Sequence, residues 1–517
     1  MKSVITIQNV WSFVNGITEE MADDLYEFLS FEKPGAAFVT IDGWDGKRHL
    51  FYKRNYRFLT GLTYKVYKRL EDHFGVKCKI IKKCKEHQKT LDYKWNHLVY
   101  PLRDYQKDII KKCLKKKRAV IGAATGSGKT IVASRLIQKI GVSPFIFYVL
   151  TKDLLYQSKK RLEDSILGLE VGVIGDGICN IRDVNIMTVQ TACRAFDIIS
   201  QNKKENQELD IGQSNLKKLK SESMAHIENK EKRKKIKSLI NNAKGIYADE
   251  IHHYASRICE KVLLLSPKAF FRYGGSATPI REDNAYLIIE GCFGRKTIEI
   301  TASDLIKKGY LLQPHISFIP LSKNNRQYVD TMTQDREIHI VDNEERNDAI
   351  IQIAKKTREK GLSTLILIQT IDHGKDLLDR IDGAEFVYGS TAKKKRRDLL
   401  ERFEKGDLKT LIASIIADEG IDLPILSVLI IAGGGKSQTR VKQRVGRVIR
   451  KGSPYSFVFD FQDIGRWTAK HSRIRRKILR EESEFIVKTE TVEKIIKKLN
   501  KVITPHNKLM GLLSSEP

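Results

Sequence analysis

The chain of 517 residues is long enough for roughly two to four domains, and its 41% hydrophobic and 30% charged residues are ordinary for a soluble globular protein. The 93 Lys and Arg against 63 Asp and Glu leave a formal charge of +30, which favours a polyanionic partner, with nucleic acid as the first candidate. The sequence shows no signal-peptide pattern, lipidation signal or membrane-spanning run, and its seven cysteines lack metal-site spacing. We therefore expect a reduced, cytoplasmic protein without a membrane partner, in the host cytoplasm if a phage encodes it.

Residues 1–98 predict a small α+β N-terminal domain with an uneven charge distribution. Residues 1–45 hold eight acidic and two basic side chains, whereas residues 46–98 hold fifteen basic and four acidic ones. Aromatic residues alternate with these bases over residues 51–58. Such a segment either tracks a phosphate backbone and stacks on bases, or forms a solvated strand face over an aromatic core, and both interpretations stay open.

Short apolar runs alternate with Lys-rich helical patterns from Pro101 onward, which predicts buried parallel strands joined by amphipathic helices. This alternation of strand and helix patterns extends over residues 99–308 and occurs again over residues 309–465, so we expect an α/β fold with two tandem parallel-sheet domains. Residues 197–243 are a Lys-rich insertion, whose role as a spacer, a DNA grip or a protein docking site stays open. Residues 466–517 are predicted to form a basic helical tail.

The segment AATGSGKT at residues 123–130 predicts a phosphate-binding loop. It follows an apolar strand pattern and precedes a helical one, which is the context that such a loop requires. Glycines let backbone N–H groups turn toward phosphates, Lys129 is suited to neutralise β/γ-phosphate charge, and the Thr130 hydroxyl is suited to ligate Mg²⁺. Ala123 stands where the general pattern has its first glycine. We predict ATP and Mg²⁺ as cofactors, bound by Thr125, Gly126, Ser127, Gly128, Lys129 and Thr130.

Two further segments carry groups that hydrolysis needs. Asp249 and Glu250 end an apolar strand pattern, so Asp249 is predicted to hold the Mg²⁺ water shell while Glu250 orients the attacking water. Arg444, Arg447 and Arg450 recur every three residues, so a helix would project them toward one side. They form either a basic surface helix or arginine fingers that stabilise charge on the γ-phosphoryl group.

Taken in chain order, these segments resemble the motifs of superfamily 2 helicases of the DEAH-like type. Residues 102–106 are similar to the adenine-reading element, residues 249–252 to motif II, and residues 443–450 to motif VI. The resemblance implies two RecA-like domains that hydrolyse ATP and move on nucleic acid. It also implies roles for individual residues: Arg103 and Gln106 near the adenine; Thr151, Lys152, Thr188, Gln190 and Thr191 on the phosphates of one strand; His252, Ser276 and Thr278 in coupling; Gly420 and Asp422 at the nucleotide; and Gln443, Arg447 and Arg450 at the γ-phosphate.

A narrower resemblance is to phage branch-migration helicases of the UvsW type, with XPB-type repair helicases as more distant relatives. Phe31-Glu32 followed by residues 43–47 is similar to the N-terminal DNA-binding domain of that group, and residues 441–451 are close to its motif VI. The resemblance implies DNA contacts by Trp44, Lys47 and Arg48. The Lys-rich insertion is a departure from the compact pattern of the group.

We therefore expect an ATP-dependent DNA helicase or translocase that remodels branched DNA, such as forks, D-loops or Holliday junctions, in recombination, repair or replication. The expected partner is branched or forked DNA bound by a monomer, with recombination or replication proteins as further partners. Three alternatives stay open: an RNA helicase, the motor subunit of a restriction enzyme, and an ATP-gated clamp without strand separation. Glu250, Arg447 and Arg450 argue against the clamp, because a clamp does not need fast hydrolysis.

Overall fold

The computed structural model describes residues 3–33, 44–198, 230–277, 285–325, 327–414, 426–450, 452–453 and 455–502. They divide into two compact units, one formed by Met1–Ala123 and Gly128–Glu299, the other by Ala124–Ser127 and Ile300–Pro517. Within these described ranges, no helix is both long and apolar enough to cross a membrane. Each unit contains a large, mainly parallel sheet, which confirms the predicted α/β class.

The first unit begins with short strands and two helices: β1 Val4–Ile7, β2 Trp11–Asn15, α1 Glu19–Phe28, β3 Ser30–Glu32, β4 Lys47–His49, β5 Phe51–Tyr52, β6 Arg57–Leu59, α2 Thr63–Phe74 and β7 Lys79–Lys82. Five of the strands form a sheet in the order β5-β6-β2-β1-β7, while β3 and β4 form a separate antiparallel pair. Thr18 starts α1 by accepting a hydrogen bond from the backbone of Met21, and Gly75 ends α2 in the left-handed region at φ 67°.

The α/β part of the first unit follows with β8 Lys94–Trp95, α3 Asp104–Lys116, β9 Arg118–Ala123, α4 Lys129–Ile140, β10 Phe145–Val149, α5 Lys152–Ser165, β11 Ile166–Leu167, β12 Val171–Gly175, β13 Ile178–Asn180, β14 Val184–Thr188, α6 Val189–Ala195, α7 Lys230–Asn242, β15 Gly245–Asp249, α8 Arg257–Leu264, β16 Phe271–Ser276, α9 Tyr286–Phe293 and β17 Lys296–Ile300. Eight strands form one sheet in the order β13-β12-β14-β10-β15-β16-β9-β17. The strands from β12 to β9 in this order are all parallel. The carboxyl ends of β15, β16 and β9 are therefore neighbours at one edge of the sheet.

The N-terminal sheet and the α/β part share one hydrophobic core. Two glycines mark how closely they approach: a Cβ on Gly61 would lie 1.8 Å from the carbonyl oxygen of Glu290, and a Cβ on Gly291 would lie 2.6 Å from Cδ1 of Leu59. No larger residue fits at either position without displacing backbone or core atoms. The described residues before 99 are therefore packed into the first unit rather than attached to its surface.

The second unit contains α10 Ala302–Lys307, β18 His315–Pro320, α11 Met332–Arg336, α12 Glu344–Glu359, β19 Thr364–Ile368, α13 Ile371–Arg380, β20 Ala384–Val387, α14 Lys393–Lys405, β21 Thr410–Ser414, β22 Val428–Ile431, α15 Gln438–Val448, β23 Phe457–Gln462, α16 Thr468–Arg480, β24 Ile486–Thr489 and α17 Val492–Asn500. Its seven strands form a wholly parallel sheet in the order β20-β21-β19-β22-β23-β18-β24. The strands β19, β21 and β22 are buried along their whole length, as expected for strands covered on both faces.

The segment from residue 466 differs in part from the predicted helical tail. It contains the helices α16 and α17, but β24 lies between them and pairs in parallel with β18, with His315 opposite Ile486. Ile495 and Leu499 bury one face of α17. The segment is thus a structural part of the second unit up to residue 502.

Candidate active site

The predicted phosphate loop connects the carboxyl end of β9 to the N-terminus of α4. Gly126 and Gly128 have φ values of 83° and 77°, in the left-handed region that favours glycine. Gly128 is the N-cap of α4, so the first N–H groups of the helix face the loop. A Cβ on Gly128 would lie 2.6 Å from Nε2 of Gln106, so the side chain predicted to read adenine lies directly against this glycine.

Gln106 is held at the start of α3. Its Oε1 accepts a hydrogen bond of 3.0 Å from the backbone N–H of Arg103, and the Arg103 guanidinium donates to the hydroxyl of Tyr105 at 3.1 Å. The structure therefore places the predicted adenine-reading pair beside the loop.

Lys129 is the first residue of α4, and its side chain lies across the loop. Its ammonium donates to the carbonyl oxygen of Ala123 at 3.2 Å and lies 3.9 Å from Oε1 of Glu250. Thr130 follows as the second residue of the helix and is half-buried. A cation, a hydroxyl and N-terminal N–H groups thus share one small volume, as phosphate binding requires.

Asp249 and Glu250 follow at the carboxyl end of β15, where Glu250 has φ 49°, a strained value for a residue with a side chain. Burial, together with the adjacent Glu250 carboxylate, raises the pKa of Asp249 to about 7. Burial also opposes ionisation of Glu250, but the charge of Lys129 and a hydrogen bond from His252 outweigh it and lower the pKa of Glu250 to about 2. Glu250 is therefore ionised at neutral pH, and Asp249 is a carboxylate whose charge would be relieved by a cation.

Ser276, at the carboxyl end of β16, connects motif II to the next strand. Its Oγ donates to Oε2 of Glu250 at 3.3 Å and lies 2.8 Å from Nδ1 of His252. Both Ser276 and His252 are buried. Thr278, the third predicted coupling residue, lies outside the described residues.

The residues predicted to contact one strand's phosphates lie at the carboxyl ends of the neighbouring strands β10 and β14. The hydroxyls of Thr188 and Thr191 are buried and lie 2.8 Å apart, and Gln190 donates to the carbonyl oxygen of Leu150 at 2.7 Å. Thr151 caps α5, while the ammonium of Lys152 lies 2.6 Å from Oδ1 of Asp176. The structure brings these five residues to one edge, and their phosphate contact stays a prediction.

The three N-terminal residues predicted to contact DNA take part in internal contacts. Trp44 donates from Nε1 to the carbonyl oxygen of Lys47 at 3.0 Å, and the Lys47 ammonium lies 2.7 Å from Oε2 of Glu27. Arg48 forms an ion pair of 3.3 Å with Glu260 of α8, whose side chain is only 3% exposed. Arg48 therefore joins the β3–β4 pair to the α/β core, a role that sequence patterns did not indicate.

Helix α15 carries Arg444 and Arg447 within the second unit, whereas Arg450 follows the end of the helix and forms an isolated backbone bridge with Leu311, so the three arginines do not lie on one helix as the sequence predicted. Arg444 is buried and donates to the carbonyl oxygen of Gly434 at 3.2 Å, so it supports the preceding loop rather than facing solvent. Gln443, Arg447 and Arg450 are half-buried. Gly420 and Asp422, which were also predicted to contact the nucleotide, lie outside the described residues.

Residues 124–127 of the phosphate loop are grouped with the second unit, where they lie beside α15. A Cβ on Gly446 would lie 2.4 Å from Cβ of Thr125, and a Cβ on Gly126 would lie 3.7 Å from Cγ of Arg450. Ser127 is buried in the same loop. Helix α15 and residues 124–127 therefore approach one another within this unit.

A buried ionic network, which sequence patterns did not indicate, holds the loop before α15. Arg475 of α16 bonds to Asp460 at 2.8 Å, to Asp463 at 3.0 Å and to the carbonyl oxygen of Gly435 at 2.8 Å. Arg346 of α12 bonds to Asp463 and to the carbonyl oxygen of Ala432. All four charged side chains are fully buried. The two arginines hold the backbone of residues 432–435 through the carbonyl oxygens of Ala432 and Gly435. This loop precedes α15, so the network supports the helix that carries Arg447.

Two protein-family models match the chain in sequence order. The model described as "Type III restriction enzyme, res subunit" (ResIII) matches residues 99–281, and the "Helicase conserved C-terminal domain" matches residues 345–452. The two matched ranges include the segments from Arg103 to Ser276 and from Gly420 to Arg450 from which the motifs were inferred.

Curated relatives cover most of the chain at low identity. The chain is 28% identical over 398 residues to the "Putative DNA 3'-5' helicase Rad25" of Haloarcula marismortui, covering 75% of this chain and 56% of that protein. It is 24% identical over 459 residues to the "ATP-dependent DNA helicase uvsW" of Enterobacteria phage T4, covering 84% of each. The chain thus spans about half the length of the first of these relatives and most of the second.

Among solved structures, a fragment of a putative HsdR subunit of a type I restriction enzyme from Vibrio vulnificus YJ016 matches with a TM-score of 0.52 and 18% identity. It covers 83% of this chain and 73% of that one. At this identity the likeness concerns the fold, and it confirms the expectation of two RecA-like parallel-sheet domains.

Proposed function

The chain belongs to the superfamily 2 helicases, and from that premise we propose that it hydrolyses ATP to move along DNA and to remodel branched DNA such as forks, D-loops or Holliday junctions. The observation that carries this proposal is the arrangement of Lys129, Glu250 and Ser276 at the adjacent ends of β9, β15 and β16. A phosphate-binding cation, an ionised carboxylate and a coupling hydroxyl there form one connected set. The names of the relatives, which are DNA helicases, support DNA rather than RNA as the substrate.

The residues present fit ATP and Mg²⁺. The glycine turns at 126 and 128 leave room that a Cβ would fill, and the oxygen donors Thr130 and Asp249 suit a hard divalent cation. Bound together, ATP and Mg²⁺ would supply the γ-phosphoryl group and neutralise its charge. Lys129 then binds the phosphates, and Arg447 and Arg450 stabilise the charge that develops on the transferred group.

Glu250 orients the attacking water in this proposal. Because Lys129 and His252 hold its pKa at about 2, Glu250 is a weak base, and its contribution is to position the water by accepting a hydrogen bond. Ser276 donates to the same carboxylate, so a change at the nucleotide reaches the end of β16 through one hydrogen bond. This connection gives a route from hydrolysis to movement of the nucleic-acid-binding edge.

The substitution Glu250→Gln tests the proposal. It removes the charge but keeps the shape, so we expect nucleotide binding to persist while DNA-stimulated ATP turnover is lost. Glu170→Gln, an exposed carboxylate of the same unit, is the matched control and should behave as the unmodified chain. Full turnover in the Glu250 variant would refute the site. A gel-based unwinding assay on a forked duplex, a four-way junction and a blunt duplex, with and without ATP, then identifies the substrate.

Each alternative function predicts a different result in these assays. An RNA helicase would show ATP turnover stimulated by RNA and not by DNA. A clamp would bind DNA in an ATP-dependent manner without separating strands. A restriction motor would translocate on a blunt duplex and would act together with a nuclease. The nuclease activity would be detected as cleavage of circular DNA. Greater unwinding of the fork or junction than of the blunt duplex supports the branched-DNA role.

We further propose that the chain acts as a monomer in a reducing, cytoplasmic compartment, together with recombination or replication proteins. All seven cysteines are unpaired, which supports a reducing compartment. Mass photometry with and without DNA tests the oligomeric state, and a dimer at working concentration would contradict it.

A further inference from the structure

Helix α16 has a continuous row of basic side chains on its exposed face. The row recurs at alternating intervals of four and three positions, the spacing that keeps residues on one face of a helix. The opposite face is buried through Arg475, Ile478 and Leu479. We call the exposed row the cationic stripe. Its members are Lys470, Arg473, Lys477 and Arg480 on the helix, and Arg466, which precedes the helix by two residues and continues the same spacing.

Among the residues that the structure describes, no carboxylate neutralises the cationic stripe. Over the described residues, none of its five members lies within ion-pair distance of a carboxylate. Basic residues elsewhere differ: Lys47, Lys68 and Lys152 each have a carboxylate within 2.7 Å. Like charges three and four positions apart destabilise a helix, so the stripe is unfavourable unless a polyanion binds to it.

Helix α16 is held in place by hydrogen bonds at its start and on its buried face. Fully buried Asp335 accepts hydrogen bonds of 2.8–2.9 Å from the backbone N–H groups of residues 466–468 and so fixes the start of α16. On the buried face, Arg475 is fixed by Asp460 and Asp463. Four of the five cations are therefore presented by a helix that is held at its start and on its buried face, and little order has to be gained on binding.

Two aromatic rings lie at the N-terminal end of the cationic stripe. Tyr328 is 82% exposed, and its hydroxyl lies 3.5 Å from Nη1 of Arg466. The Arg466 guanidinium lies 4.7 Å from the ring centre of Trp467 and 6.0 Å from that of Tyr328. Exposed aromatic rings beside a guanidinium are a surface on which nucleobases stack.

We propose that the cationic stripe binds the phosphate backbone of a single DNA strand, and that Tyr328 and Trp467 stack on an unpaired base at one end. The stripe is about 21 Å long at the helical rise, enough for roughly six nucleotides at the spacing of a duplex strand. The inference rests on the proposed DNA motor and assigns the second unit a strand-binding surface outside the helicase motifs. The stripe takes phosphate without regard to sequence, because its contacts are with the backbone.

The cationic stripe is tested in the full chain by the triple substitution Lys470→Gln, Arg473→Gln and Lys477→Gln. The matched control removes the same charge from exposed lysines of the same unit, as Lys494→Gln, Lys497→Gln and Lys501→Gln. The probe is fluorescein-labelled oligo(dT), and binding is measured by anisotropy over a series of salt concentrations. We expect the stripe variant to bind roughly tenfold more weakly and its salt-dependence slope to fall by about 2, since each phosphate contact on a single strand contributes about 0.7. The control should change neither quantity by as much.

The aromatic end is tested by Tyr328→Ala and Tyr328→Phe with an oligonucleotide that contains 2-aminopurine. Phenylalanine retains the stacking ring, so it should preserve the quenching of 2-aminopurine, whereas alanine should reduce affinity about fivefold and abolish the quenching. Equal quenching in all three proteins would overturn the stacking assignment.

The outcomes separate this inference from the proposed function. If the chain shows DNA-stimulated ATP turnover but the stripe variant binds oligo(dT) as its control does, the stripe inference is wrong and the motor stands. A stripe that instead binds an acidic protein would give that same result. If DNA does not stimulate turnover but the stripe variant alone loses oligo(dT) binding, the motor proposal fails and the strand-binding surface stands.

Discussion

The hydroxyl of Ser276 donates to the carboxylate of Glu250 at 3.3 Å and so joins the carboxyl ends of β16 and β15. A serine has a single hydrogen to donate, so in the 2.8 Å contact with His252 the Nδ1–H of the histidine must be the donor. The order of donation is then His252 to Ser276 to Glu250. The tautomer of His252 is thereby fixed by the same hydroxyl that contacts the water-orienting carboxylate.

Ser276→Ala should uncouple hydrolysis from strand separation. The substitution removes the hydrogen bonds of this buried hydroxyl with Glu250 and His252, at a cost to stability of about 1–3 kcal/mol. We expect more ATP to be hydrolysed for each base pair unwound, which is measured by running ATPase and unwinding assays on the same sample. Ser165→Ala is the control, because Ser165 is also a buried serine but its hydroxyl donates to the backbone carbonyl oxygen of Arg161, within its own helix. An unchanged ratio in Ser276→Ala would show that the hydroxyl has no part in coupling.

Arg447→Lys and Arg450→Lys should each lower the turnover number by about a thousandfold while nucleotide binding is retained. Lysine keeps the charge but loses the planar, bidentate donor set that stabilises a phosphoryl group in transfer. Turnover is measured at saturating ATP and DNA, and nucleotide affinity with a fluorescent analogue. Arg440→Lys on the same helix is the control. Turnover near that of the control would remove the two arginines from the hydrolysis site.

His373 should make the second unit less stable in acid. Burial, with the nearby Arg346 charge, lowers the pKa of His373 from 6.5 to about 3, while the unfolded chain protonates this ring near 6.5. Between these values the unfolded state binds the extra proton, so stability falls as pH decreases through that window, by roughly 3 kcal/mol at pH 4.5. His373 Nε2 lies 2.9 Å from Oδ1 of Asn347, and His373→Gln keeps an N–H donor without the titration.

Urea unfolding at neutral and acid pH checks this expectation. The pH dependence should shrink in His373→Gln and persist in His97→Gln, whose ring is exposed. If His373→Gln loses as much stability on acidification as the unmodified chain, the acid sensitivity has another source.

Arg48→Ala should destabilise the first unit rather than only weaken DNA binding. Glu260 would remain buried without its partner, and removing one member of a buried pair costs about 3 kcal/mol. Thermal unfolding measures the loss, and Lys47→Ala is the neighbouring control. A stable Arg48→Ala protein with impaired DNA binding would instead favour the role that the family resemblance implied.

Sequence patterns identified the residues that lie at strand ends. The alternation of apolar runs and helices places Ala123, Asp249 and Ser276 at the ends of parallel strands, and such ends meet at one edge. Because polar and charged residues directly follow these apolar strands, the sequence could predict that they form one site before the strand order β15-β16-β9 was known.

Burial within basic segments was not predictable. Arg475 is as basic as Lys470, Arg473 and Lys477, and only the packing of α16 on β23 decides that Arg475 is inside while its neighbours are exposed. Likewise Arg48 and Glu260 are 212 positions apart, and no local pattern links them. The prediction of a separate helical tail was incomplete because β24 is short and pairs with a strand far earlier in the chain.

The position of β18 between β23 and β24 has a consequence for synthesis on the ribosome. Both neighbours of residues 315–320 are made later, the last of them ending at Thr489. At ordinary translation speeds β18 therefore emerges about ten to thirty seconds before its second edge can be paired. Until β23 is made this apolar strand has two open edges, and until β24 is made it still has one. The nascent second unit is therefore a natural client for chaperones, and a ribosome stalled within α16 would leave an unpaired strand edge that is prone to aggregation.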